Sequence, residues 1–214
     1  MSMSITFAVW ACFADATVCP SMPTKAHGTA SCKRKAAFPS AACARSSGEN
    51  FYIGGVDISP FHIPHDANDP VGFSLNAQGL KCGVATDIGH ITDEWMDAVS
   101  GCQALVLEAN HDVEMVQRGP YPLKLKRRIL SRNGHLNNED CAHALCELAA
   151  RGTKAVFLSH LSTDNNLPEL AYNTVCGALS AAGFDVGGDI RVCVSRRDKV
   201  SDMLVLRTDE ANAV

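Results

Sequence analysis

Residues 56–90 read VDISPFHIPHDANDPVGFSLNAQGLKCGVATDIGH, and the alternation in this stretch decides the fold. Val56–Ile63, Val71–Leu75 and Leu80–Thr86 are apolar at strand spacing, with Asn76-Ala-Gln-Gly79 as the turn of a hairpin. Two polar clusters interrupt them, Pro64-His65-Asp66-Ala67-Asn68-Asp69-Pro70 and Thr86-Asp87-Ile88-Gly89-His90. Each cluster directly follows an apolar strand, where loops gather functional groups on one edge of a sheet.

Outward from this stretch the same grammar continues. Upstream, Phe51–Ile53 is a strand joined to Val56 by Gly54-Gly55. Downstream, Thr92 has the chemistry to cap a helix running to Val99, and Ala104–Glu108 is a short buried strand. Pro122–Ser131 and Asn137–Ala150 have helical spacing. In the latter, Cys141, Ala144, Leu145 and Leu148 form a core-facing stripe, and Asn137 with Asp140 resembles a capping box. Lys154–Leu158 is a strand, and Pro168–Ala182 a helix ended by Gly183. Ile190–Ser195 and Met203–Leu206 close the domain. Strands first, then strands alternating with helices, make an α/β layered domain.

Three more polar clusters stand at element ends: Glu108-Ala109-Asn110-His111-Asp112, Asn133-Gly134-His135-Leu136-Asn137, and Ser159-His160 through Asn166. Imidazole and carboxylate at separate strand ends suit a borderline metal such as Zn²⁺ or Mn²⁺. Any one cluster also fits loop residues that satisfy local backbone groups. His65, Asp87 and His160, each following an apolar strand, together favour a site. His62 lies an odd number of residues from His65, so a strand turns it to the opposite face. With His90 and His143 it is read as a non-ligand.

Composition limits the alternatives. The 214 residues are 46% hydrophobic and 20% charged, with a net charge of −4. No apolar run approaches the ~18 residues of a membrane span, and bulk charge does not attract nucleic acid. Ten cysteines without a C-x-x-C pair read as reduced, mostly buried thiols of a cytoplasmic protein. Residues 1–47 differ from the rest. Through residue 50 there are five basic residues against Asp15 and Glu49, with many Ala, Ser and Cys and no sustained period. Ile5–Ala14 lacks the basic flank of a signal peptide.

The clusters resemble a known family. His65, Asp87 and His160 match the third, fourth and fifth ligand motifs of the metallo-β-lactamase fold. The flanks, Pro-His-Asp-Ala-x-Asp-Pro, Ala-Thr-Asp-x-Gly, Leu-Glu-x-Asn-His-Asp, Gly-His-Leu-x-Asn-Glu-Asp and His-Leu-Ser-x-Asp-Asn-Asn, are similar to the YycJ/WalJ-type hydrolases from about Gly48 to Leu206. The resemblance implies an αββα sandwich and a cytoplasmic two-metal phosphodiesterase or nuclease using Zn or Mn. His65 would complete one metal site, His160 the other, and Asp87 would bridge them. It implies catalytic roles for Asp87 and for a Glu108–His135 pair assisting the leaving group. His111 and Asn165 would be substrate-binding.

The family's His-x-His-x-Asp-His segment is absent from this sequence, and three ligands cannot fill two metal sites. The expectation is therefore an incomplete sandwich (residues 48–214 its carboxy-terminal part), an uncovered apolar face, poor solubility and little activity. Residues 1–47 permit an explanation. In the shifted frame Trp10-Ala11 forces Gly and Met22-Pro23 forces Ala, and allowed codons spell Glu-His-Val-Asp-His-Ile-Arg-Gly. The segment is thus expected to be out of frame, with Cys12, Cys19, Cys32 and Cys43 its by-products. Sequencing the locus upstream of Met1 checks this. A non-catalytic remnant, or an amide or thioester hydrolase on the same fold, is the alternative.

Overall fold

The computed structural model describes residues 4–7, 49–201 and 203–207. The expected boundary between segments 1–47 and 48–214, and the four early cysteines, otherwise lie outside the described residues. A seven-stranded sheet runs β2 (Phe51–Ile53), β3 (Val56–His62), β4 (Val71–Ala77), β5 (Leu80–Ala85), β6 (Ala104–Glu108), β7 (Ala155–Ser159) and β8 (Arg191–Val194) in spatial order. The first four strands pair antiparallel and the last four parallel. A separate pair joins β1 (Ser4–Phe7) antiparallel to β9 (Leu204–Arg207).

The antiparallel half follows from its turns. Gln78 and Gly79 both have positive φ, 53° and 81°, and so do Gly54 and Gly55, at 57° and 84°. Two central residues with φ > 0 make the two-residue turn whose twist matches paired strands. The β4–β5 turn therefore needs two residues, not the four expected, and both strands extend to meet it at Ala77 and Leu80.

The parallel half needs crossovers, which α1 (Asp93–Val99), α4 (Asn138–Ala150) and α5 (Pro168–Ala181) supply. Two shorter helices, α2 (Val113–Arg118) and α3 (Leu123–Ile129), precede α4. Trp95, Met96 and Val99 of α1, the stripe Cys141, Ala144, Leu145 and Leu148 of α4, and Ala171, Val175 and Leu179 of α5 are buried in one core. The opposing sheet face supplies Ala85, Leu105, Leu107, Val156, Leu158 and Val192. The indole N–H of Trp95 donates to the His90 carbonyl at 3.1 Å, so its burial leaves no orphan donor.

Caps are more mixed. Asn137 caps α4, its side-chain oxygen accepting from the Asp140 N–H at 2.8 Å. The return arm of a capping box is altered, because the shorter Asp140 side chain accepts from the Asn137 amide and not from its backbone. Thr92 occupies the N-cap of α1 with extended backbone, yet makes no side-chain cap bond. Asp93 and Glu94 in the first turn favour the helix dipole instead.

The other sheet face is less covered. Leu80, Cys82, Ala104 and Ala155 are buried beneath Leu206 of β9, whereas Ile58, Phe73, Leu75, Val84 and Val106 stay half-buried. Cys82, Cys102, Cys141, Cys146, Cys176 and Cys193 are free thiols. Burial pushes Cys82 up to about 12 and Cys102 to about 11, which makes both poor nucleophiles. Among the described residues no helix is long and apolar enough to cross a membrane.

Candidate metal centre

Strand direction places the functional loops together. β3 and β5 are both antiparallel to β4, and β5, β6 and β7 are mutually parallel, so all four end on one edge of the sheet. His65, Asp87, Glu108 and His160 follow or end these strands, and His135 arrives on the loop before α4. Asp87, Glu108, His135 and His160 offer ligand atoms all within 4.8 Å of one another. The His65 and His135 rings are 5.0 Å apart and those of His135 and His160 5.2 Å.

Asp87 stands at the centre. Its Oδ1 lies 3.8 Å from His65 Nε2, 3.8 Å from His135 Nδ1 and 3.6 Å from His160 Nδ1. These separations exceed a hydrogen bond. Donors sharing one tetrahedral ion at bonds of ~2.1 Å stand about 3.4 Å apart, which suits His65 Nε2 and Asp87 Oδ1, whereas the near atoms of His135 and His160 are the Nδ1 nitrogens that Glu108 holds. Asp87 (φ 60°) and His160 (φ 57°) both take the left-handed conformation. Non-glycine residues adopt it at a cost, and such strain collects at functional sites.

Glu108 organises the centre from below. It is fully buried (0% exposed), and its Oε1 accepts from His135 Nδ1–H at 2.9 Å and His160 Nδ1–H at 2.7 Å. Its Oε2 accepts from the backbone N–H groups of Ile88 at 2.6 Å and Leu136 at 3.3 Å. Burial alone would raise this carboxyl, but the hydrogen bonds and charges of both imidazoles outweigh it and hold it near 2. Burial likewise pulls His160 down, and Glu108 with Asp87 reverses that, leaving its pKa raised. Because Glu108 takes Nδ1–H from both rings, each Nε2 is left as the free ring nitrogen. His65 (5% exposed side chain) is oriented the same way, donating Nδ1–H to the Gly134 carbonyl at 2.9 Å and turning Nε2 to Asp87.

Close backbone packing locks these loops. A Cβ on Gly134 would collide with the Ile129 and Arg128 carbonyl oxygens, and one on Gly89 with that of Arg132. Gly134→Ala is expected to cost about 2 kcal/mol of stability and to displace the carbonyl that orients His65, read by thermal unfolding.

The remaining expected residues sit differently. His62 is exposed beside Asp69, His90 donates Nδ1–H to the Arg132 carbonyl, and His143 lies beside Glu147. None of the three joins the cluster. His111 (1% exposed) and Asn165 are buried, so direct contact with a substrate requires their loops to part. Both ring nitrogens of His111 and the Oδ1 of Asn165 lack hydrogen-bond partners among the described residues.

Burial pushes the His111 pKa down to about 4. The unfolded chain then binds a proton that the folded one refuses. Stability is fully present above pH ~6.5 and falls as pH drops toward about 4, by roughly 3 kcal/mol. His111→Leu should flatten that acid limb and leave stability at pH 7 equal or higher, since it removes an unpaired buried polar ring. Urea midpoints across pH 4–7 measure it.

Sequence reasoning misses the groups that tie the loops together. Asn166 donates to the Ala109 carbonyl at 2.9 Å and exchanges amide bonds with Asn138, while Asn110 donates to the His160 carbonyl at 2.8 Å. Asp66 takes a two-point ion pair from Arg128, one arm of it 2.8 Å long. The only signal for these residues is position in or beside the polar clusters.

Comparison with known proteins agrees with this architecture. A family model described as "Beta-lactamase superfamily domain" matches residues 12–164, a range that extends into the compositionally distinct amino-terminal segment. An exodeoxyribonuclease YycJ of Bacillus anthracis is 40% identical over 142 residues, 66% of this chain and 54% of the relative. An exodeoxyribonuclease WalJ of Streptococcus pneumoniae serotype 2 (strain D39 / NCTC 7466) is 38% identical over 145 residues, 68% of this chain and 54% of the relative. The chain thus spans about half the length of the curated relatives it matches. A crystal structure of the metallo-beta-lactamase fold protein YhfI from Bacillus subtilis superposes with a TM-score of 0.53 at 12% identity. That match covers 76% of this chain and 54% of the other, and bears on the fold alone.

Proposed function

Because this chain belongs to the beta-lactamase superfamily and is of the YycJ/WalJ type, we propose that it is a cytoplasmic metal-dependent phosphodiesterase acting on nucleic acid. The observation that carries this reading is Asp87 Oδ1 standing 3.6–3.8 Å from three imidazoles that other groups hold in place. Similarity to two exodeoxyribonucleases supports the phosphodiester class.

The donor set fits a divalent ion of the Zn or Mn kind, with His65, Asp87 and His160 as its protein ligands. Such an ion, when bound, lowers the pKa of a water and polarises a phosphoryl oxygen. The chain's own groups do the rest. Gly134 and Glu108 fix the rings of His65 and His160 so that each presents Nε2. His135, held through Nδ1 by Glu108, would pass a proton from Nε2 to the leaving oxygen. His111 and Asn165 line the loops behind the centre and complete the substrate side when those loops part. Two ions, the number the family resemblance implies, need more donors than the described residues supply. The chain alone is therefore read as holding one ion and turning over slowly.

Incubation of a 5′-labelled single-stranded oligonucleotide with the purified chain and Mn²⁺ or Zn²⁺ tests this. Slow cleavage that a chelator stops and Asp87→Ala lacks is expected. Cleavage that survives Asp87→Ala, or turnover confined to amide or thioester substrates, would overturn it.

A further inference from the structure

The chain is acidic overall, yet its cations collect on both sides of the centre. On one side is α3, which reads Leu123-Lys124-Leu125-Lys126-Arg127-Arg128-Ile129. Lys124, Arg127 and Arg128 are exposed or partly so and lie at i, i+3 and i+4, which puts them on one helix face. Arg128 on that face grips Asp66, the neighbour of His65, so the face adjoins the His65 loop. Lys124 and Arg127 have no acidic partner among the described residues. On the other side Arg197, in the loop after β8, donates to the Leu161 carbonyl at 2.9 Å, one residue past His160. Exposed Arg196, Asp198 and Lys199 surround it, three cations counting Arg197 against one acid.

The contacts therefore form a continuous chain through the centre: α3, Asp66, His65, His135, His160, Leu161, Arg197. A small phosphodiester at the centre would need cations on one side at most. A strand of repeating phosphates crossing the centre would meet positive charge before and after it. Asp66 offsets only Arg128, and Glu114 pairs with Arg118 further along the chain.

We propose that α3 and the loop after β8 form a track for a nucleic-acid strand that crosses the centre from Lys124 and Arg127 to Arg197. This deepens the phosphodiesterase reading and rests on it for the fate of the strand. The charge line itself is independent of any bound metal. Backbone contacts of this kind track phosphates without reading bases.

The test is fluorescence anisotropy of a labelled oligodeoxythymidine of about 20 nucleotides, titrated with the full chain in excess chelator between about 50 and 200 mM salt. Each phosphate contact on a single strand contributes a slope of about 0.7 to the fall of log affinity with log salt. Lys124→Gln with Arg127→Gln should lower that slope by about 1.4, and Arg197→Gln by about 0.7. Lys154→Gln, at the opposite end of β7, should leave it unchanged. An unchanged slope in both the α3 and Arg197 variants, or an equal drop in Lys154→Gln, would overturn the track. Absence of metal-dependent cleavage alongside the expected drops in slope would sink the phosphodiesterase reading and leave the track standing.

Discussion

Glu108→Ala is expected to lose about 3–5 kcal/mol of folding stability, the cost of breaking a buried charged pair. Glu108, itself fully buried, accepts from the Ile88 and Leu136 N–H groups and from two imidazoles. Alanine leaves all four donors unpaired, and against a total of about 5–15 kcal/mol that is a large share. Denaturant unfolding should show a lower midpoint at unchanged slope. Glu108→Gln separates charge from shape. It keeps the volume and can still accept, but it cannot pair with His135 and His160 as an ion. Because the folded Glu108 pKa is depressed to about 2, its contribution is present above pH ~4.5 and is lost as pH falls toward 2. That limb should vanish in Glu108→Gln. If both variants unfold like the wild type, Glu108 does not organise the centre.

Asp87→Ala is expected to have the largest effect on chemistry. Its Oδ1 lies 3.6–3.8 Å from ring nitrogens of His65, His135 and His160 at once. Removing it should abolish tight metal binding and reduce phosphodiester turnover by at least ~10³-fold, the scale at which essential groups act. Folding should survive and even gain, since alanine replaces a carboxylate that stands beyond hydrogen-bond distance of the three imidazoles. Substitution by glycine should be better tolerated still, because position 87 has φ 60°. A stable Asp87→Ala that binds no metal would separate function from fold. The contrast with Glu108→Ala, which loses both, distinguishes a ligand from the group that orients ligands.

Much of this is legible in the amino-acid sequence alone. Strand alternation around Val56–Ile63, Val71–Leu75 and Leu80–Thr86, and the stripe Cys141, Ala144, Leu145, Leu148, depend on periodicity, which local sequence carries. Polar clusters at strand ends are legible for the same reason, since an apolar run must stop where the chain leaves the core. What escapes are properties that need neighbours distant in sequence. Val113–Arg118 forms a single short helix whose only signal is Asp112, which caps it by accepting from the Met115 N–H at 2.7 Å. Thr92 has the chemistry of a cap and makes no cap bond, because propensity states a preference and the local geometry decides whether it is used. The left-handed backbone at Asp87 and His160 is enforced by the surrounding packing, which no local pattern announces. Glu108 is legible as a partner of His135. That it also holds His160, Ile88 and Leu136 depends on four loops meeting at one edge.

The metal content of the purified chain tests the central claim most directly. After exhaustive chelation and re-addition of Zn²⁺ or Mn²⁺, elemental analysis or calorimetric titration should find one tightly bound equivalent per wild-type chain and none in Asp87→Ala. Equal metal content in the two proteins would contradict the assignment of His65, Asp87 and His160 as a divalent-cation site.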